Sequence, residues 1–477
     1  MSTSTAQILV FFFISLLIAF LTFIKCKKES RQSEGNITEN SNKEYFLAGG
    51  GLSWVFIAGS ITLTNLSTDQ LVGMNGNQMA LLAWWEFAAV FGLIILAKIF
   101  LPVYYNHKCT TTTELLEKRY NNIHIRGLIA ALFLAANIFI FLPTVLYSGS
   151  LFMKTMFNLN IEILPMAIAF GIAGAAYAIF GGLRAVAISD TYSGILLLGM
   201  GLAVVYLSMM TINFDFSGIP KERLTLIGGN ESPIPWHVLL TGMIFIQTFY
   251  WSTNQTITQR AMAAPTLREA QRGVYAAAVV RLLIVPPIIV IPGIVSYKLY
   301  GDIGDLAYGK IVGDVLPKWL SGAFAAAIAA AVLTTFNSIL NSSAALYVCD
   351  LHEKYINAKP NVKTLNSIVT FLFVIIAIIL VPVYAQTESI INTIQKLWGL
   401  FSMPILSTFV AGLLFKNVDA RAAMTAVVFG TCLYGYFTFI WSPLHYIHMM
   451  FFTLMACILV ALFTNKFIFG NKAQLIR

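Results

Sequence analysis

Charged residues are scarce in this sequence. Lys, Arg, Asp and Glu make up 11% of its 477 residues, and 58% of the residues are hydrophobic. Soluble domains are about 25% charged, so a water-soluble globular protein is excluded and lipid is the expected solvent. Because about 20 consecutive apolar residues span a bilayer core, the roughly thirteen apolar stretches predict an all-α membrane protein with about 13 transmembrane helices.

Cysteine patterns and nucleotide-binding motifs are missing as well. The five cysteines are scattered, without the short spacing of a metal site or a disulfide framework. No GxxxxGK[ST] segment is present, which excludes a P-loop for ATP. No nucleophile–base pair or metal cluster indicates a membrane enzyme. We therefore expect a protein that is not an enzyme and has no obligate protein partner.

The formal net charge of +9 reflects where the basic residues lie, not a nucleic-acid partner. If the helices alternate from an outside start, about 21 of the 30 Lys and Arg fall on cytoplasmic flanks. The first apolar run, 8–24, is followed by Lys25, Lys27, Lys28 and Arg31 and is predicted as a retained helix, not a signal peptide. The sequence thus predicts a multi-pass protein of the cell (inner) membrane, with its N-terminus outside and its C-terminus in the cytoplasm.

Three regions are predicted along the chain. Residues 1–50 hold the N-terminal helix and a polar cytoplasmic linker at 30–43, residues 51–415 hold a ten-helix core, and residues 416–477 hold two further helices and a short tail. The predicted core spans are 52–76, 82–105, 126–156, 162–180 and 190–211, then 236–260, 273–300, 315–350, 365–383 and 389–414. The helices of all three regions are expected to lie in the lipid bilayer.

The first helix of each set of five carries polar residues near its middle, at 62–70 and at 247–255. Unwound helices at matching positions of two halves mark the central site of inverted-repeat transporters. Polar backbone is tolerated at that depth only where it lines a cavity or is buried in protein. Hydroxyls that bond to their own helix explain a few of these residues. They do not explain the whole set of Asn65, Asp69, Gln70 and Asn254. We therefore expect a central cavity at two broken helices.

The order of the motifs resembles the sodium:solute symporter family, and within it the bacterial sodium/galactose branch. Four segments carry the resemblance: NLSTDQLVGM at 65–74, FGGLRA at 180–185 followed by Asp190, YWSTNQ at 250–255 followed by Gln259 and Arg260, and EAQRG at 269–273. The resemblance runs from about residue 45 to 416. It implies a LeuT-like fold, a 5+5 inverted repeat with extra helices at either end.

The resemblance also implies a site for Na⁺. Thr334 and Thr335, in an otherwise small and apolar stretch, match the family's sodium-site hydroxyls, which are serines in the bacterial sugar relative. The backbone carbonyls of Leu63, Leu66 and Ala331 match the remaining ligands, and carbonyls of unwound helices commonly coordinate sodium. The open alternative is that both hydroxyls bond to carbonyls of their own helix.

A second sodium position is implied at Asp190, Asn337 and Ser338, because residues at these positions help to bind a second sodium in some relatives. Ionisable residues within spans are functional candidates by default. The alternative for Asp190 is a carboxylate at the start of a helix, where the dipole favours negative charge. The other implied ligands are hydroxyls and carbonyls that do not titrate, so sodium and not protons is the expected coupling ion.

The solute site is expected among polar side chains inside the predicted spans, where burial without a partner costs about 2–7 kcal/mol. The resemblance implies sugar contacts by Gln70, Glu86 and Gln395, an inner gate at Tyr250, and an outer gate at Met74, Trp85 and Ile391. Asn254 is expected to bond to Tyr250 and position it.

Three residues depart from the branch: Gln247 replaces Asn, Arg281 replaces Lys and Ala89 replaces Ser. Gln247 still serves a hydroxyl with a longer reach. Arg281 either pairs with Glu86 or Asp69, or meets an anionic solute, because a guanidinium prefers carboxylate partners.

The sequence therefore predicts a sodium-coupled secondary active symporter that imports a small, hexose-like sugar by alternating access. The alternative is sodium-coupled symport of a carboxylated solute such as sialic acid or a sugar acid. A third interpretation is a sensor or channel that no longer couples, although sensors of this type usually append a signalling domain and only about eight residues follow the last predicted helix.

Overall fold

The computed structural model describes residues 5–33 and 46–476, and this part of the chain is almost entirely helical. The helices are α1 Thr5–Ser33, α2 Trp54–Asn65, α3 Thr68–Gly76, α4 Ala80–Asn106, α5 Thr112–Tyr120, α6 Ile123–Met156, α7 Ile163–Thr211, α8 Lys221–Leu224, α9 Gly242–Ser252, α10 Gln255–Met262, α11 Leu267–Tyr300, α12 Ala307–Val315, α13 Lys318–Tyr355, α14 Val362–Tyr384, α15 Ile390–Leu414, α16 Ala420–Ile440 and α17 Tyr446–Phe467. Two short strands, β1 Phe415–Lys416 and β2 Gln474–Leu475, pair antiparallel. The predicted linker begins inside α1, and its residues 34–43 lie outside the described part.

Ten helices of the described part are long and apolar enough to cross a membrane: α1, α4, α6, the Leu183–Thr211 part of α7, α11, and α13 to α17. The predicted all-α membrane fold is confirmed, whereas the count of about 13 spans stays a prediction. The predicted spans 162–180 and 190–211 form one continuous helix, α7, of 49 residues. The side chains of residues 180–182, part of one quoted motif, lie outside the described part.

Two predicted spans are interrupted at their centres. The first divides into α2 and α3 because Leu66 (φ −75°, ψ 70°) and Ser67 (φ −107°, ψ −179°) leave the helical conformation. The second divides into α9 and α10 at Thr253 and Asn254, and the Asn254 side chain accepts from the backbone N–H of Thr256. Each interruption frees backbone groups that a continuous helix would pair. The two broken helices expected from the sequence are therefore present.

Glycines let the helices around these breaks approach each other closely. A Cβ on Gly92 of α4 would lie 2.4 Å from the backbone oxygen of Gln247 in α9, and one on Gly73 of α3 would lie 2.8 Å from the Cβ of Ile391 in α15. Small residues at helix contacts have this effect in membranes, where packing drives association. The two broken helices, α4 and α15 thus surround one central volume.

The terminal helices pack on the outside of this core. Gln7 of α1 donates from Nε2 to the Ser321 hydroxyl of α13 at 2.8 Å, while much of α1, including Phe13 at 65% exposure, faces outward. At the other end, α16 and α17 pack on α15. The division at residues 50 and 415 stays a prediction.

Candidate solute and ion site

A cavity of about 80 Å³ lies between the two helix breaks. Its walls come from α2, α3, α4, α6, α9, α10, α13 and α15, and its lining includes the predicted residues Gln70, Met74, Trp85, Glu86, Gln247, Tyr250, Asn254, Thr335, Ile391 and Gln395. Pockets for drug-sized ligands have volumes of about 300–1,000 Å³, so this cavity is much smaller. The fold therefore brings most of the predicted solute and gate residues to one place that suits a small solute.

Glu86 is the centre of a buried polar network at the cavity wall. It accepts from Gln70 Nε2 on one oxygen and pairs with Arg281 Nη1 on the other at 2.5 Å. Arg281 also donates from Nη2 to the carbonyl of Thr62 at 3.0 Å, and its guanidinium stacks on the Trp251 ring at 4.5 Å. Of the two carboxylates expected for Arg281, the structure selects Glu86.

Arg281 is placed behind the cavity wall. The residue is fully buried, and it is not among the lining residues of the cavity in the described part of the chain. Its guanidinium group is neutralised by Glu86, one side chain closer to the cavity. In this conformation of the protein, the groups of the network that line the cavity are the Glu86 carboxylate and the Gln70 amide, and not the guanidinium.

Gln247 joins α9 to α4. Its Nε2 donates to the carbonyl of Trp85 at 3.0 Å, and its Oε1 accepts from Trp251 Nε1 at 2.8 Å. Both ends of the longer side chain are therefore bonded to protein. The glutamine holds Trp251, and through it Arg281, in position.

Tyr250 lines the cavity at its predicted inner gate position. Its hydroxyl accepts from Asn65 Nδ2 at 2.9 Å, across the two broken helices. The expectation that Asn254 positions Tyr250 was wrong, because the Asn254 side chain accepts from the backbone of Thr256 at the start of α10. The actual partner of Tyr250 is Asn65, the last residue of α2. Its polar side chain inside a predicted span was the sequence feature that could have indicated this bond.

The two predicted sodium-site threonines differ in their bonds. Thr335 donates from Oγ1 to the carbonyl of Leu63 at 3.3 Å, across from α13 to the last turn of α2. Thr334 donates to the carbonyl of Ala331 in its own helix at 3.3 Å. Thr334 thus bonds within its own helix and also interacts with the Asp190 carboxylate, whereas Thr335 connects to the break. Hydroxyl and carbonyl oxygens converge there, as a hard cation requires; sodium ligation by Leu63, Leu66, Ala331, Thr334 and Thr335 stays a prediction.

Asp190 lies within α7 and not at its start, so the helix-terminus interpretation was wrong. Its Oδ2 accepts from the Ser60 hydroxyl at 2.5 Å, and that hydroxyl accepts from Arg260 Nε at 3.1 Å. Asp190 and Arg260 are both fully buried. The carboxylate is therefore linked through Ser60 to a cation on the second broken helix.

The other two residues of the predicted second sodium position are buried as well. The Ser338 hydroxyl lies 3.4 Å from that of Thr64. Neither the amide nitrogen nor the oxygen of Asn337 has a hydrogen-bond partner among the described residues, and one oxygen of Asp190 also lacks one. Buried polar atoms usually find a partner, so these atoms remain candidates for water or a cation.

Several residues of the site were not singled out from the sequence. Asn137 of α6 lines the cavity and donates to the Ser343 hydroxyl of α13 at 2.9 Å. Asp69, considered from the sequence as a sign of the cavity and as a partner of Arg281 but not as a solute contact, lines the cavity itself. A polar residue inside a predicted span was the available signal for both.

Comparison with known proteins gives a consistent result. The model of the sodium:solute symporter family matches residues 45–430. The chain is 34% identical over 457 residues to the uncharacterized symporter YidK of Escherichia coli (strain K12), covering 90% of this chain and 78% of that protein. It is 29% identical over 474 residues to the sodium/glucose cotransporter of Vibrio parahaemolyticus, covering 91% and 86%.

Among solved structures, the chain is similar to a Na⁺-coupled sialic acid symporter in a substrate-bound outward-open state. The TM-score is 0.83, with 16% sequence identity and complete coverage of both chains. At this identity the likeness concerns the fold alone, and it confirms the predicted LeuT-like architecture.

Proposed function

The chain belongs to the sodium:solute symporter family, and from that premise we propose that it imports a small, neutral, polyhydroxylated solute such as a hexose together with sodium. Family membership makes the protein a multi-pass membrane transporter coupled to sodium, and not an enzyme. The solute, the residues that bind it, and the orientation with the N-terminus outside are our proposals.

The Gln70–Glu86–Arg281 network is the observation that supports a neutral solute. Amide and carboxylate groups face the cavity, and such groups exchange hydrogen bonds with hydroxyls. Among the relatives, the cotransporter of Vibrio parahaemolyticus, whose sequence is 29% identical, is named for glucose. This relative makes hexoses the first solutes to test.

A carboxylated solute is the weaker candidate. It is suggested by the sialic acid symporter that shares the fold. An acidic solute needs a free cation, and Arg281 already pairs with Glu86 behind the wall. Breaking a buried ion pair to bind an anion would leave Glu86 unpaired, at a cost of about 3–5 kcal/mol.

The geometry supports alternating access around the two breaks. Sodium bound by Thr335 and the Leu63 carbonyl would hold the end of α2 against α13 and favour solute binding beside it. Separation of Tyr250 from Asn65 would then open the inner side. One sodium crossing 100 mV releases about 2.3 kcal/mol and a tenfold gradient adds about 1.4 kcal/mol, so one sodium per solute supports accumulation of roughly several hundred-fold.

The ion site is tested by sodium titration of uptake in proteoliposomes with Thr335→Ala and, as matched control, Thr335→Ser. The serine keeps the hydroxyl, so its half-saturating sodium concentration should stay near that of the wild type. The alanine removes an oxygen ligand, and hydrogen bonds to charged groups are worth about 1.5–3 kcal/mol. We expect at least about a tenfold rise; an unchanged sodium affinity in Thr335→Ala would refute the assignment.

The solute is tested by competition. Labelled uptake of neutral hexoses, with and without a sodium gradient, is challenged with unlabelled hexoses and with sialic acid. The proposal requires a hexose to compete and sialic acid not to. Sodium-driven uptake of sialic acid, unaffected by hexoses, would replace the neutral solute by the carboxylated one.

A further inference from the structure

Asp69 is a carboxylate in the solute cavity that the bonds described above do not use. It lies in the first turn of α3, directly after the helix break, and it lines the cavity beside Gln70. One of its oxygens accepts from the Ser67 hydroxyl. The backbone N–H groups of Asp69 and Gln70 at the start of α3 also interact with it.

The charges around the cavity are unequal. Two carboxylates, Asp69 and Glu86, belong to the lining, and the lining includes no lysine, arginine or histidine of the described residues. Arg281 balances Glu86 from behind the wall. No ion pair of Asp69 occurs among the described residues, so its negative charge is the one that the cavity itself leaves unbalanced.

We propose that Asp69 contacts the solute directly and sets the charge preference of the cavity, admitting neutral and amino-bearing polyols and rejecting carboxylated ones. The inference rests on the proposed function and narrows its solute class. It adds a residue that selects the solute by charge, beside the neutral hydrogen-bonding groups of the wall.

The surroundings of Asp69 explain why it stays available. The N-terminus of α3 and the Ser67 hydroxyl favour the negative charge, but neither supplies a cation. When the cavity closes and water leaves, hydroxyl or ammonium groups of the solute add charge-assisted hydrogen bonds to those that the carboxylate already accepts from Ser67 and the backbone. A solute carboxylate at this position would instead face a like charge in a medium less polar than water.

A second consequence of this charge concerns the proposed ion site. Asp69 and Thr335 line the same cavity. A sodium ion bound at Thr335 would offset the charge of Asp69, so a neutral solute completes a site without net charge. An anionic solute would restore the imbalance.

The experiment uses three probes of one configuration: D-galactose, D-galactosamine and D-galacturonate, with the D-glucose series run in parallel. Sodium-dependent currents are recorded from proteoliposomes on solid-supported membranes. The wild type should respond to the neutral or the amino sugar, and a hundredfold excess of the uronate should not compete. In Asp69→Asn the affinity for the amino sugar relative to the neutral sugar should fall about tenfold, and the uronate should begin to compete.

Asp314→Asn is the matched control, because it makes the same chemical change at an exposed carboxylate that pairs with Lys310 outside the cavity. It should leave the ratios between the three probes unchanged. If Asp69→Asn cannot be purified in folded form, the wild-type series decides alone: uronate transport as efficient as that of the neutral sugar overturns the inference.

The outcomes separate the two proposals. Ratios unchanged in Asp69→Asn, or a shift in sodium affinity without a change in charge preference, would overturn the role of Asp69 and leave sodium/sugar symport intact. If no sugar of either series, whatever its charge, gave a sodium-dependent current, the proposed function would fall and the inference with it.

Discussion

The pairing of Glu86 with Arg281 makes a quantitative prediction. Arg281→Gln removes the guanidinium and leaves Glu86 buried with Gln70 as its remaining partner. Glu86→Gln leaves Arg281 charged, but the guanidinium keeps the Thr62 carbonyl and the Trp251 ring. The double variant replaces both charges with neutral amides, of equal length at Glu86 and shorter at Arg281.

The magnitudes follow from burial. The two side chains are 0% and 2% exposed, and removing one partner of a buried pair costs about 3–5 kcal/mol. Arg281→Gln should lie in that range, and Glu86→Gln at or below its lower end because of the two remaining contacts. The double variant leaves no unpaired buried charge, which is the source of the large cost, so it should be more stable than Arg281→Gln.

Thermal unfolding of the purified protein, followed by tryptophan fluorescence, supplies the measurement. One kcal/mol corresponds to about 2 °C or less for a chain of this size, so Arg281→Gln should unfold several degrees below the wild type. The double-mutant cycle should give a coupling of at least about 2 kcal/mol. If the losses of stability in the two single variants summed to that of the double variant within about 0.5 kcal/mol, Arg281 and Glu86 would not stabilise each other. Arg281 would then again be a candidate for direct contact with an acidic solute.

Two further predictions concern Tyr250 and Asp305. Tyr250→Phe removes the hydroxyl that accepts from Asn65 and should weaken the closed inner gate by about 1 kcal/mol. Labelled solute should be released faster than in a Thr431→Val control, which removes a hydroxyl bonded within its own helix α16. An unchanged rate would contradict the gate. Burial raises the pKa of Asp305, in the loop before α12, to about 7, opposed by its hydrogen bond from the Ile390 N–H. Because the folded state then binds the proton more tightly than the unfolded state, stability should fall as the pH rises from about 4 to 7. In Asp305→Asn the melting temperature should change less with pH across this window. A pH dependence as steep as that of the wild type would exclude Asp305 as its source.

The ion site shows how far local sequence information reaches. Thr335 stood out because a hydroxyl in an otherwise apolar stretch needs a reason, and it does bond across to Leu63. Its neighbour Thr334 looked the same in the sequence, yet it bonds within its own helix. Adjacent residues of a helix point about 100° apart, so only the placement of the neighbouring helix decides which of them faces the break.

The hydrogen-bond partner of each buried polar residue was harder to predict from the sequence. The Tyr250 hydroxyl bonds to Asn65 and not to Asn254, and Asp190 is linked to Arg260 through Ser60. These pairs join helices that are far apart in the chain. A polar residue inside a span indicates that a hydrogen-bond partner lies near it in the fold. The sequence offers several candidate partners, and only the distances between them identify the right one.

By itself, the sequence determined that the protein is an all-α membrane transporter with two broken helices, because apolar length and misplaced polar residues are local properties of the chain. Tertiary structure alone decided the charge of the central cavity. It placed Arg281 behind Glu86 and left Asp69 in the lining without a cation. The physical reason is that an ion pair depends on a few ångströms between residues that are up to two hundred positions apart, and periodicity and composition do not contain that distance.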